Sequence, residues 1–98
     1  MTSRKAEASV LMKNPTGLHA RPAVRLTKLA KTFRSRIQIL VAGRPEWVDA
    51  KSIVKVMALK MPGNTLLSIK AEGDDAETAV ASLVALVERR FDEGNDVD

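Results

Sequence analysis

The sequence predicts an α+β fold: an open-faced two-layer sandwich, a four-stranded antiparallel sheet covered on one face by three helices, in the order β-α-β-β-α-β-α. Three observations predict it. Apolar periodicity switches back and forth between two and about 3.6 residues. The strand-like stretches alternate apolar with polar side chains, so each strand has one face to bury and one to solvate, which suits an antiparallel sheet. The helix-like stretches each carry one apolar stripe, and such helices cover a sheet from one side. At 98 residues and 45% hydrophobic, the chain reads as one domain over 1–98, with a single modest core spanning about 8–91. Phe33, Phe91 and Trp47 are the only aromatic residues, so aliphatic side chains must fill that core.

The elements follow in order. Residues Met1 to Ala6 are polar and basic and read as a loose N-terminus. Ala8, Val10 and Met12 alternate with Ser9, Leu11 and Lys13 as a first strand, ended by the turn Asn14-Pro15-Thr16-Gly17. From Ala20 to Phe33, the residues Ala23, Leu26, Ala30 and Phe33 recur at spacings of three and four and mark one helix face, with Lys28 and Lys31 off that stripe. Ile37, Ile39 and Val41 form a second strand. Gly43 turns it into a short third strand through Trp47 and Val48, and Pro45 makes that strand an edge. Asp49 is placed to cap a short helix from about Ala50 to Leu59. After the turn Pro62-Gly63-Asn64, Leu67, Ile69 and Ala71 mark the fourth strand. Gly73-Asp74-Asp75 leads into the strongest helical stretch, whose stripe is Ala76, Val80, Leu83, Val84, Val87 and Phe91. Arg89 and Arg90 near its end suit the helix dipole, and Gly94 is a natural stop. Residues Asp92 to Asp98 read as an acidic, frayed tail.

Composition excludes several classes of function. The absence of cysteine removes disulfides, thiolate metal sites and cysteine catalysis, and fits a reducing cytoplasm. No apolar run approaches the roughly 20 residues that span a bilayer, and the N-terminus lacks a signal-peptide core. The expectation is a cytoplasmic protein without membrane insertion. The formal net charge is +4, but the bases are dispersed among 12 acids and there are few aromatics to stack on bases. That pattern argues against nucleic acid and for docking onto acidic protein surfaces. With a single histidine and no matched carboxylate cluster, neither a metal site nor a cofactor is expected.

His19 is that single histidine, and it stands in Gly17-Leu18-His19-Ala20-Arg21-Pro22-Ala23. Gly17 permits a sharp turn, and Pro22 suits a first helical turn. A histidine at the start of a helix lies beside unpaired backbone N–H groups and the positive end of the helix dipole, both of which attract phosphoryl oxygens. Arg21 adds a permanently charged planar fork for the same oxygens. A neutral imidazole nitrogen can attack phosphorus, and such transfer depends mainly on positioning and charge stabilisation. The plain alternative is a histidine that only caps a helix; the glycine before it and the arginine after it favour the phosphoryl reading. For Lys28 and Lys31, the residues alone favour a solvated helix face.

Asn14-Pro15-Thr16-Gly17-Leu18-His19-Ala20-Arg21-Pro22-Ala23 resembles the active-site segment of the HPr family, the histidine phosphocarriers of the bacterial phosphoenolpyruvate-dependent sugar phosphotransferase system. The stretch Ala50 to Leu59 resembles that family's short second helix, and Ile69 to Asp75 its last strand and turn. The resemblance runs from about Ala8 to Phe91 and implies the same fold. It implies that His19 takes a phosphoryl group from enzyme I and passes it to IIA domains of sugar permeases, with Arg21 steadying it. The chain would then be a carrier with no turnover of its own, working as a monomer. Ala20, Lys28, Lys31, Ile53 and Val54 match positions of the surface that docks both partners. Ser52, in the first turn of the second helix, matches the serine that the HPr kinase/phosphorylase modifies in many bacteria. The other member type the resemblance admits is a nitrogen-branch or regulatory paralogue that acts mainly by binding. Three features depart from the family pattern: Lys60 where glycine is common, a longer Arg44-Pro45-Glu46-Trp47 connection, and the acidic tail.

Overall fold

The computed structural model describes residues 4–13, 20–60 and 63–91. The predicted order holds: β1 (Lys5–Met12), α1 (Ala20–Lys31), β2 (Arg36–Val41), β3 (Val48–Asp49), α2 (Ile53–Ala58), β4 (Thr65–Glu72) and α3 (Ala76–Glu88). The sheet order is β1-β4-β2-β3 and every neighbouring pair is antiparallel. β4 therefore lies inside the sheet between β1 and β2, and β3 is an edge, as Pro45 suggested.

Alternation along the strands becomes layering across them. Ala8, Ile69 and Ile39 share one cross-strand row, and Val10, Leu67 and Val41 the next. These side chains meet Ala23, Leu26 and Ala30 of α1 and Ala79, Leu83 and Val87 of α3 in one core. The opposite rows, Lys5–Glu72–Arg36, Glu7–Lys70–Gln38 and Ser9–Ser68–Leu40, form the uncovered face. There the Ser9 and Ser68 hydroxyls meet at 2.9 Å.

Element ends differ from the sequence expectation where tertiary contacts intervene. β1 starts at Lys5 because Lys5, Ala6 and Glu7 pair with Glu72, Ala71 and Lys70, so Lys5 and Ala6 belong to the sheet and not to a loose terminus. α1 stops at Lys31, and its last turn tightens as Thr32 and Phe33 donate to the carbonyls three residues back, leaving Phe33 half-buried beyond the helix. α2 begins later than Ala50. The Ala50 N–H extends the β2 ladder by donating to the Ile37 carbonyl, and the Asp49 carboxylate accepts from the Lys51 N–H without capping α2. Ser52 is the N-cap, so it precedes the first turn where the sequence placed it. Its hydroxyl accepts the Lys55 N–H at 3.3 Å.

α3 ends at Glu88, short of Phe91. Arg90 and Phe91 take left-handed backbone (φ 56° and 57°), which turns the Phe91 ring fully into the core. Arg89 and Arg90 consequently lie past the helix end. The Arg25 guanidinium on α1 donates to the Phe91 carbonyl and fastens this corner. The turn at 14–17, Pro62 and the proposed stop at Gly94 lie outside the described residues. Lys60 sits at φ 47°, directly after α2, in the left-handed region where a helix exit favours glycine. The departure at Lys60 thus places an unfavourable residue at that exit.

The corner between β4 and α3 is closed by polar contacts. The Asp75 carboxylate accepts from the Arg34 and Ser35 N–H groups, each at 2.9 Å, and from the Ser35 hydroxyl. Led by the Ser35 hydroxyl, these donors lower its pKa from 3.8 to about 2. Gly73 lies at φ 148°, and a Cβ there would stand 2.8 Å from the Ser35 Cα.

Two outcomes follow from this corner. Gly73→Ala should lose about 2 to 3 kcal/mol in urea unfolding, since both backbone and neighbour resist a side chain; a loss below about 0.5 kcal/mol would contradict the close approach. Because the folded Asp75 holds its proton less tightly than the unfolded chain, its contribution is complete above pH 3.8 and is lost as the pH falls toward 2. Asp75→Asn should therefore be less stable at neutral pH and flatter in stability across that acid window, as measured by urea midpoints from pH 6 to 2.

Candidate functional site

α1 positions the candidate site. Its first residue is Ala20, so Arg21 stands in the first turn, two residues past His19, which itself lies outside the described residues. Burial of Ala23, Leu26, Thr27 and Ala30 fixes the rotation of the helix. That rotation turns Ala20, Arg21, Val24, Lys28 and Lys31 outward. The helix carries Arg21, Arg25, Lys28 and Lys31 and no acidic residue, which makes its surface uniformly cationic. Ala20, Arg21, Val24, Arg25 and Lys28 line one open hollow of about 500 Å³. Two of the predicted contact residues, Ala20 and Lys28, are thus brought together with Arg21.

Ser52, Ile53 and Val54 do not line that hollow. They begin the neighbouring helix, α2, which packs against α1. α2 buries Val56 and half-buries Ile53, while Val54 is 75% exposed and Met57 41% exposed. Val24 on α1 is 39% exposed, so each of the two helices presents apolar side chains to solvent. Exposed aliphatic side chains and nearby positive charge suit brief, steered association with an acidic partner.

Sequence reasoning missed Val24, Met57 and Arg25. Val24 falls off the buried stripe yet is apolar, a signal readable in the periodicity. Met57 required the true start of α2, which fixes the side it faces. Arg25 depends on the position of Phe91, which no local pattern reveals. Among the described residues, no group of His, Cys, Asp or Glu could hold a metal ion, and no helix is long and apolar enough to cross a membrane.

The family model described as "PTS HPr component phosphorylation site" matches residues 6–89. The chain is 41% identical over 81 residues to the phosphocarrier protein HPr of Cupriavidus necator, covering 83% of this chain and 89% of that protein. It is 39% identical over 94 residues to the multiphosphoryl transfer protein of Vibrio cholerae, covering 95% of this chain but only 24% of that much longer protein. The crystal structure of HPr-C-His from Thermoanaerobacter tengcongensis superposes with a TM-score of 0.82 at 40% identity, covering 90% of this chain and 97% of that one. The shared topology, the match across nearly all of both HPr chains and the histidine–arginine segment at the head of α1 together show that this chain belongs to the HPr family of phosphocarrier proteins.

Proposed function

We propose that this chain carries a phosphoryl group on His19, taking it from enzyme I and giving it to IIA domains of sugar permeases, in the cytoplasm and as a monomer. The observation that carries the reading is the placement of Arg21, exposed in the first turn of α1 and two residues after His19. In the first half of the relay, a His19 ring nitrogen forms a bond to phosphorus as the enzyme I bond to phosphorus breaks; in the second, the His19–phosphorus bond breaks as the acceptor's bond forms. The Arg21 guanidinium neutralises the equatorial oxygens during both exchanges. The chain is phosphorylated in one step and returned unmodified by the next, so it acts as a co-substrate of its partners and has no independent turnover.

Partner docking is assigned to Ala20, Lys28, Lys31, Ile53 and Val54, extended by Val24 and Met57. The aliphatic members supply contact area, and the lysines steer acidic partners. Which acceptor is served, a sugar-type or a nitrogen-type IIA protein, separates the main reading from the paralogue reading and is decided by offering both to the phosphorylated chain.

Ser52 is proposed as the regulatory position. Its hydroxyl caps α2 immediately before Ile53 and Val54. Phosphorylation would add about −1.5 to −2 charges beside the apolar surface while keeping oxygens that can accept the Lys55 N–H. The helix would survive and the positive charge that steers acidic partners would be weakened.

Two measurements test these assignments. Incubation with phosphoenolpyruvate, magnesium and enzyme I should add one acid-labile phosphoryl group by intact mass. His19→Ala should gain none, and Arg21→Ala should gain it about ten- to a hundredfold more slowly, the loss expected of one charge-assisted contact; a phosphorylated His19→Ala protein would refute the acceptor. Ser52→Asp should accept at least about fivefold more slowly than Ser52→Asn, with both unfolding within about 0.5 kcal/mol of wild type because both residues cap helices well. Equal rates would remove Ser52 from regulation.

A further inference from the structure

A second concentration of positive charge lies beside β3 and shares no lining residue with the hollow around Arg21. Trp47, the only tryptophan, leads into β3 and is half-buried. The Lys70 ammonium stands 4.1 Å from the centroid of its ring. Lys70, Gln38 and Asp49 form one cross-strand row, and Arg36 extends the uncovered face by one further row. An open trough of about 640 Å³ runs here, lined by Arg36, Gln38, Glu46, Trp47, Lys51 and Lys55 among others.

The groups of the trough are unequally committed. The Lys51 ammonium donates to the Phe33 carbonyl at 2.8 Å, and the Asp49 carboxylate accepts from the Lys51 N–H. Arg36 and Lys55 are exposed in the lining, one from β2 and one from α2. Three lining cations, Arg36, Lys51 and Lys55, face two lining acids, Glu46 and Asp49, so the lining is net positive by one charge. The loop that brings Trp47 here is itself anchored, since the Arg44 guanidinium donates to the Leu59 carbonyl at 3.1 Å. This is the connection whose added length sets the chain apart in sequence.

Two features select the occupant. Small-molecule sites are enclosed and largely apolar, whereas this trough is open and mostly polar. β3 has a strand neighbour on one side only, because it ends the sheet. An extended segment can continue the sheet at such an edge, with backbone hydrogen bonds giving affinity and alternate side chains facing the same wall. Trp47 in the lining supplies the rigid contact area typical of protein docking sites.

We propose that the trough beside β3 is a second docking surface, taking an extended acidic segment of a partner protein with its acids at alternate positions. The assignment does not depend on the phosphoryl relay. The trough shares no lining residue with the hollow around Arg21, while its Lys55 lies on α2 next to Val54 of the proposed relay surface.

The test uses the full chain and a labelled peptide of alternating Glu and Thr, roughly ten residues long, enough for one strand. Fluorescence anisotropy should show saturable binding, Trp47 emission should change in step, and added salt should weaken both. Arg36→Glu and Lys55→Glu should each weaken binding at least about tenfold. Lys13→Glu makes the same charge change beyond the opposite end of β1 and should stay within about twofold. Absence of binding would overturn the proposal, as would equal weakening by Lys13→Glu. Displacement of the peptide by phosphatidylserine vesicles or by ATP would also overturn it, by assigning the trough to a membrane surface or a nucleotide.

Discussion

Everything in this structure depends on β4 lying between β1 and β2. Its inner side chains, Leu67, Ile69 and Ala71, are flanked in register by apolar residues on both sides, so β4 knits the first strand to the second. β4 follows both in sequence, and neither β1 nor β2 has another route into a common sheet. A one-residue slip of β4 would turn Ser68 and Lys70 into the core and Leu67 and Ile69 to water. The helices then have little freedom, since one apolar face receives all of their stripes.

From that constraint the two exposed surfaces follow. Once Ala23, Leu26 and Ala30 are buried, the remaining face of α1 must present its cations and Val24. Once Val56 is buried, α2 must expose Val54 and Met57. The sheet's other face carries charge in alternating sign, and Trp47 and Lys70 gather at its β3 edge. The fold thus leaves the hollow around Arg21 and the trough lined by Trp47 with no residue in common.

The corners that hold the layers together are polar and specific. Asp75 spends its carboxylate on Arg34 and Ser35, although its place before α3 suggests a helix cap, and its side chain makes no capping bond. Gly73 lets Ser35 approach closely enough for that clasp, and its N–H donates to the Arg4 carbonyl at 2.8 Å. Arg25 plays the matching part at the far corner by holding the Phe91 carbonyl. Each contact joins segments distant in sequence, so each stabilises the packing of layers more than any one element.

The fold order, the antiparallel sheet, the edge position of β3 and membership of the HPr family were legible in the sequence, because each rests on local periodicity, turn chemistry or a short motif. The exposed placement of Lys28 and Lys31 was legible for the same reason, being set by helix geometry relative to a buried stripe. The element ends were not. Ser52 displaced Asp49 as the cap of α2 because the backbone at Ala50 is claimed by β2, and α3 stopped short because burying Phe91 outweighed continuing the helix. Trp47 met Lys70, and the Arg25 guanidinium met the Phe91 carbonyl, only through the packing of elements far apart in the chain. Local sequence determines which residues can form each element, whereas long-range burial and competition for backbone hydrogen bonds decide where each ends and which side chains meet.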